Sequence, residues 1–137
     1  MSPRCNSRFR VLVVDDDPSV LATYRRLLKR CGYRTETADD PCELLKDERI
    51  HEGVDLLLLD YKMPGMDGLS LLAELRRREC RARCILISAF LNDDVRQQAS
   101  NLGVDRVLEK PVDVGALKRT LGELLPLSGE ERVDALG

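Results

Sequence analysis

Short apolar runs alternate along the chain with longer segments whose apolar residues recur every three or four positions. FRVLVV (Phe9 to Val14), YRTETA (Tyr33 to Ala38), VDLLLL (Val54 to Leu59), RCILIS (Arg83 to Ser88) and VDRVLE (Val104 to Glu109) read as five strands, the second the weakest. The unbroken run Leu56 to Leu59 fits a strand covered on both faces, as parallel sheets require. Between the first two strands, Val20, Tyr24, Leu27, Leu28 and Cys31 keep a helical period behind a capping Asp17 and Pro18, and Gly32 follows as a stop. A second helix is predicted from Pro41 through Leu44 and Leu45, continuing over Lys46 to Arg49 and closed near Gly53. A third starts at Gly68 with Leu69, Leu72 and Leu75, and a fourth carries Val95, Ala99 and Leu102 before Gly103. The fifth carries Val114, Leu117, Leu121 and Leu124 behind a candidate cap at Asp113.

Five strands alternating with five helices imply an α/β fold, a doubly wound parallel sheet with helices on both faces, since crossovers between parallel strands are right-handed. With 137 residues, 43% hydrophobic, the chain suits one domain burying roughly two thirds of its unfolded surface. Residues 9–125 are expected to form that domain, between an arm at 1–8 and a tail at 126–137. The balance of 22 Lys+Arg against 24 Asp+Glu leaves a net charge of -2, which argues against direct nucleic-acid binding. No run is apolar enough for a membrane span and the N-terminus lacks a secretory h-region, so a cytoplasmic location is expected. Five cysteines, Cys5, Cys31, Cys42, Cys80 and Cys84, form no CxxC pair and would leave one over in a disulfide framework. Reduced thiols fit better, and Cys80 with Cys84 lacks the second ligand pair that structural zinc needs.

Candidate chemistry gathers where the strands end. A doubly wound sheet binds its ligand outside the carboxyl ends of its strands. Those ends carry Asp15 and Asp16 after the first, Asp60 after the third, Ser88 after the fourth and Lys110 after the fifth. With the first and third strands adjacent, as in the order 2-1-3-4-5, three carboxylates would meet within a few ångströms. Like charges disfavour that geometry unless a cation intervenes. Hard oxygen donors on a small rigid rim suit a magnesium ion that keeps waters for substrate oxygens. Phosphoryl transfer needs a nucleophile, charge neutralisation and alignment. Asp60 could supply the first, and Asp16, Lys110 and Ser88 with a metal the rest. The chain has no glycine loop for a nucleotide, so a phosphohistidine on a partner would be the source.

VLVVDDDP, LLLLDYKMPGMDGL (Leu56 to Leu69), ILISA (Ile85 to Ala89) and VLEKP (Val107 to Pro111), in this order and each at the end of a different predicted strand, resemble the receiver domain of two-component response regulators. The resemblance spans roughly residues 9 to 125 and implies a flavodoxin-like sheet. It implies that Asp60 is the phospho-acceptor, that Asp16 ligates Mg2+ directly and Asp15 mainly through water, and that the Lys62 carbonyl is a further ligand. Ser88 would contact the phosphoryl group, Lys110 would pair with one of its oxygens, and Pro111 would follow a cis peptide. The partners implied are a histidine kinase or histidine phosphotransfer protein upstream, and a downstream protein or an output domain. The chain's own chemistry would be limited to its phosphorylation and dephosphorylation.

Other readings stay beside this one. Asp17 reads as a helix cap rather than a ligand. Asp60 and Asp67, taken alone, fit turn residues around PGMDG. The run RRREC (Arg76 to Cys80) reads as a solvated helix end and His51 as a surface residue. The chain could instead be a degenerate receiver used only for binding, against which the intact set Asp15, Asp16, Asp60, Ser88 and Lys110 counts. It could be the excised receiver of a DNA-binding transcriptional regulator. A haloacid dehalogenase-type phosphatase would need a second Asp where this chain has Lys62. Val107 stands where many receivers place an aromatic residue, so activation is expected to act through the loop from Ser88 to Asp93, with Phe90 its largest side chain. The face of the fourth helix, fifth strand and fifth helix, bearing Arg96 and Arg106, is expected to be read by partners.

Overall fold

In the computed structural model, which describes residues 9–126, each strand is followed by a helix. The order is β1 (Arg10–Val14), α1 (Pro18–Arg30), β2 (Arg34–Ala38), α2 (Pro41–Leu44), β3 (Leu56–Asp60), α3 (Gly68–Arg77), β4 (Arg83–Ser88), α4 (Asp93–Asn101), β5 (Arg106–Glu109) and α5 (Val114–Leu124). All strand pairs are parallel and the sheet order is β2-β1-β3-β4-β5, as expected. The expected arm and nearly all of the expected tail lie outside the described residues.

The period of two along each strand sorts side chains into two cores. Leu12, Val14, Leu57, Leu59 and Leu86 face Leu44 of α2, Leu72 and Leu75 of α3, and Val95 and Ala99 of α4. Val11, Val13, Leu56, Leu58, Ile85 and Ile87 face Leu21 and Leu28 of α1 and Leu117 and Leu121 of α5. All five residues of central β3 are buried, and full burial of each leucine there contributes about 1.5–3 kcal/mol. Packing around β3 therefore holds the end of that strand, and Asp60 with it, in a fixed place.

Three expectations need correction. The second helix stops at Leu44 instead of continuing over Lys46 to Arg49. That stretch offers no apolar residue to the core, and Asp47 accepts a hydrogen bond from the Arg49 N–H at 3.0 Å, a local bond that competes with helix. The Arg78 guanidinium also donates to the carbonyls of Leu45, at 2.8 Å, and Asp47, at 3.4 Å. Arg78 belongs to the second correction, because RRREC is not wholly a solvated helix end. Arg76 donates to the carbonyls of Leu102, Gly103, Cys80 and Ala82 at 2.8–3.2 Å, tying the C-terminus of α3 to the start of β4 and the end of α4. Only Arg77, paired with Glu74, and Glu79 remain exposed there.

Cys31, Cys42, Cys80 and Cys84 are free, and Cys80 and Cys84 are core residues; Cys5 lies outside the described residues. His51 is half-buried rather than a surface residue, with an Nδ1 that has no hydrogen-bond partner. Among the described residues no helix is long and apolar enough to cross a membrane.

Candidate phosphoacceptor site

Three loops at the carboxyl edge of the sheet build the site. After β1, the Asp15 carboxylate accepts from the Asp17 N–H at 2.9 Å, which fixes the turn into α1, and Asp17 caps that helix by accepting from Ser19 N–H at 2.9 Å. Asp17 is thus a cap, as expected. After β3, Tyr61 N–H donates to the Ile87 carbonyl at 2.8 Å and Gly68 N–H to the Tyr61 carbonyl at 2.7 Å. The loop between them turns at Gly65, whose φ of +85° is accessible to glycine without strain, and Asp67 caps α3 through Ser70 N–H at 2.7 Å. After β5, Lys110 N–H donates to the Ser88 carbonyl at 2.9 Å, and the Lys110–Pro111 peptide is cis, as expected.

Asp15, Asp16 and Asp60 each offer a carboxylate oxygen, and these oxygens lie within 4.8 Å of one another. Asp15 and Asp60 are buried, at 3% and 5% exposure, while Asp16 is exposed. Lys110 Nζ stands 2.9 Å from Asp60 Oδ1. Burial pushes the Asp60 carboxyl above its ordinary range; the hydrogen bond and charge of Lys110 oppose the rise and the Asp16 charge adds to it. Asp15 is raised too, first by burial and further by the Asp60 charge, against the pull of the Asp17 N–H. For Lys110, burial works against the charged form, but the bond and charge of Asp60 prevail and its pKa rises. The acidic field reaches Tyr24 on α1, whose hydroxyl is pushed up to about 12 by burial together with Asp15 and Asp60.

Three carboxylates against one ammonium leave a surplus of about two negative charges, and desolvation makes that surplus costly. A divalent cation bound by hard oxygens removes it, so the donor set fits magnesium. Lys62, two residues past Asp60, is exposed in the β3–α3 loop.

The structure therefore brings together Asp15, Asp16, Asp60 and Lys110 as expected. Ser88 is at the same rim, buried to 2% exposure, but its hydroxyl is turned into its own loop. It donates to the Phe90 carbonyl at 2.8 Å and accepts from the Phe90 N–H at 3.0 Å. Phe90 is 70% exposed, beside a cleft of about 590 Å³ lined by Tyr61, Lys62, Met66, Ser88 and Phe90. Sequence reasoning missed Gly68. Its φ is ordinary, yet a Cβ there would meet the Asp60 carbonyl oxygen well under 3.0 Å, the Asp60 carbonyl carbon at 3.1 Å and Leu86 Cδ1 at 3.2 Å. The first turn of α3 is pressed against the backbone of Asp60, and only glycine fits between.

The carboxyl edge of this doubly wound parallel sheet thus joins a buried aspartate, two further acids and a lysine, the kinds of group that phosphoryl transfer to a carboxylate would use. The family model described as the response regulator receiver domain matches residues 11–122, and the chain belongs to that family. Sporulation initiation phosphotransferase F of Bacillus subtilis is 30% identical over 118 residues, 86% of this chain and 94% of that protein. Transcriptional regulatory protein PrrA of Mycobacterium leprae is 35% identical over 120 residues, 88% of this chain but 51% of its own length. A CheY-like receiver domain from Methanospirillum hungatei JF-1 superposes with a TM-score of 0.78 at 28% identity, covering 93% of this chain and 99% of that one. The chain is a receiver domain of two-component response regulators. Receiver domains bind Mg2+ at such an acidic cluster and interact with histidine kinases or phosphotransfer proteins.

Proposed function

We propose that residues 9–125 form a phosphorylatable switch in which Asp60 accepts a phosphoryl group, and that Asp15, Asp16, Asp60 and the Lys62 carbonyl hold Mg2+. The observation that carries the reading is the convergence of three carboxylate oxygens within 4.8 Å beside a lysine 2.9 Å from Asp60. The magnesium ion would neutralise charge on the phosphoryl oxygens. Asp60 acts as nucleophile: a carboxylate oxygen attacks phosphorus while the bond to the donor imidazole nitrogen breaks, leaving an acyl phosphate and a free histidine on the partner. Lys110, already at Asp60, supplies a positive point charge to a second phosphoryl oxygen. Ser88 must give up its two bonds to Phe90 before its hydroxyl can donate to a third. That exchange moves the β4–α4 loop and is the switch. Val107 is half-buried and too small and stiff to turn as an aromatic ring would, so the change is carried by Ala89 to Asp93 into α4. The face of α4, β5 and α5, with exposed Arg96 and with Arg106 held to Glu123 at 3.0 Å, is the surface a downstream partner reads.

Intact-mass spectrometry after incubation with acetyl phosphate tests the chemistry. One added phosphate that requires Mg2+ and is lost in Asp60→Asn is expected; a label retained in that variant, or complete labelling in chelator, overturns the assignment.

A further inference from the structure

At the amino edge of the sheet, opposite Asp60, the segments that lead into β3 and β4 border a cleft of about 700 Å³ together with Phe9 and the end of α5. That volume falls within the roughly 300–1,000 Å³ of small-molecule sites. Val54, Ala82 and Leu125 are buried and give the cleft an apolar floor.

Most of the charged groups on its walls are engaged. The Asp55 carboxylate accepts from the Arg10 N–H at 2.8 Å, Glu52 pairs with Arg49 at 3.2 Å and Arg83 with Asp105 at 3.4 Å. Arg78 lies against Glu74 and donates to the carbonyls of Leu45 and Asp47. Glu79 and Arg81 differ: both are exposed, and among the described residues neither side chain has a hydrogen bond or an ion pair. His51, in the other bordering segment, also makes no side-chain hydrogen bond.

The backbone singles out Glu79 as well. With a φ of 68° it is the one non-glycine residue at positive φ among the described residues. Glycine takes that conformation without strain, so an acidic side chain is held there against the local backbone preference. Ending α3 needs only the backbone at this position, which leaves the carboxylate unexplained.

A free carboxylate and a free guanidinium therefore border one apolar floor, two residues apart and so within about 7 Å at the backbone. A simple anion is drawn to Arg81 but repelled by Glu79, and a simple cation meets the reverse. A molecule bearing both charges on neighbouring atoms satisfies both. We infer that the cleft binds a free α-amino acid with an apolar side chain, its ammonium on Glu79, its carboxylate on Arg81 and its side chain over Val54, Ala82 and Leu125. The His51 ring, with no hydrogen bond to lose, is a third polar group available to the ligand. This site is separate from the phosphoacceptor chemistry at the opposite edge.

The test is a titration of the 15N-labelled full chain with L-phenylalanine up to about 20 mM, enough to saturate a millimolar site. Phenylpropionate, which lacks the ammonium, and phenylethylamine, which lacks the carboxylate, are titrated beside it. L-phenylalanine should give saturable shifts at the amides of Val54, Glu79, Arg81 and Ala82, and each one-charge analogue should bind at least about fivefold more weakly. Glu79→Gln and Arg81→Gln should each weaken L-phenylalanine by a similar factor. Arg81→Gln should also weaken phenylpropionate while Glu79→Gln does not. Both side chains are exposed, and an amide spectrum dispersed like that of the wild type shows that each variant is folded. Absence of saturable shifts at these residues, an analogue that binds as tightly as L-phenylalanine, or unchanged binding by either variant overturns the inference.

Discussion

Replacing Gly68 by alanine tests whether the seat of Asp60 depends on the close approach of α3. The added methyl would lie well under 3.0 Å from the Asp60 carbonyl oxygen and 3.2 Å from Leu86 Cδ1. Neither neighbour is the free end of a flexible chain, since one is backbone in the buried strand β3 and the other a fully buried side chain. Reaching ordinary contact distance requires the first turn of α3 to retreat by on the order of 1 Å. That retreat strains the 2.7 Å bond from Gly68 N–H to the Tyr61 carbonyl. Overpacking costs about 1–3 kcal/mol and a weakened backbone bond about 1 kcal/mol, against a gain of up to about 1 kcal/mol for alanine over glycine in a helix. The net is a loss of about 2 kcal/mol, which for a domain of this size lowers Tm by roughly 8 °C. Because a 1 Å misplacement can cost about a hundredfold in an aligned reaction, acetyl phosphate labelling of Asp60 should slow at least about tenfold in the folded variant. Calorimetry and timed mass spectrometry read the two effects. A Tm within about 2 °C of wild type with an unchanged labelling rate would refute the reasoning.

Other perturbations have equally definite outcomes. Arg76→Ala strips the shared donor from four carbonyls and should destabilise by about 2–3 kcal/mol in denaturant unfolding, whereas Arg77→Ala, in an exposed pair, should stay within about 0.5 kcal/mol. Glu79 follows α3 with a φ of 68°, and Cys80 N–H donates back to the Leu75 carbonyl, so Glu79→Gly should stabilise by about 0.5–1 kcal/mol by the same measurement. The Asp15 carboxyl binds its proton more tightly folded than unfolded. Its contribution to stability is therefore complete below its ordinary value of 3.8 and lost as pH rises through the higher folded value. Asp15→Asn should accordingly raise the Tm of metal-free protein at neutral pH and flatten its decline above pH 4, and Mg2+ should stabilise wild type more than the variant. Phe90→Ala should shorten the life of the acyl phosphate by opening the path of water beside Ser88, and an equal or slower loss of label would count against that shielding.

The strands and the acidic rim were legible because each rests on local pattern, whereas the sheet order, a non-local property, came from the resemblance to receiver domains. Leu56 to Leu59 has no polar position to offer solvent, Asp15 and Asp60 directly follow apolar runs, and Asp16 and Lys110 come within two residues of one, which places all four at strand ends. The shortened α2 was not legible, because the guanidinium that takes its carbonyls comes from Arg78, more than thirty residues away. Arg76 was misread for the same reason: an arginine that satisfies carbonyls on two other segments looks, in sequence, like one on a solvated helix end. The orientation of the Ser88 hydroxyl is a choice between two sets of partners that composition does not encode. Gly68 carried a signal that was available: it stands at the first position of a helix, where the cap before it already ends the turn and no positive φ calls for glycine. Such a glycine points to something packed where its Cβ would be.

The central claim is that occupancy of Asp60 releases Ser88 from Phe90 and moves the loop that leads into α4. Amide NMR spectra of the Mg2+-loaded chain, recorded with and without beryllofluoride as a mimic of the phosphoryl group, test it most directly. The account predicts the largest shifts at Ser88, Phe90 and onward to Val95, with the change absent in Asp60→Asn. Shifts concentrated at Val107 while Ala89 to Val95 stay unchanged would contradict it.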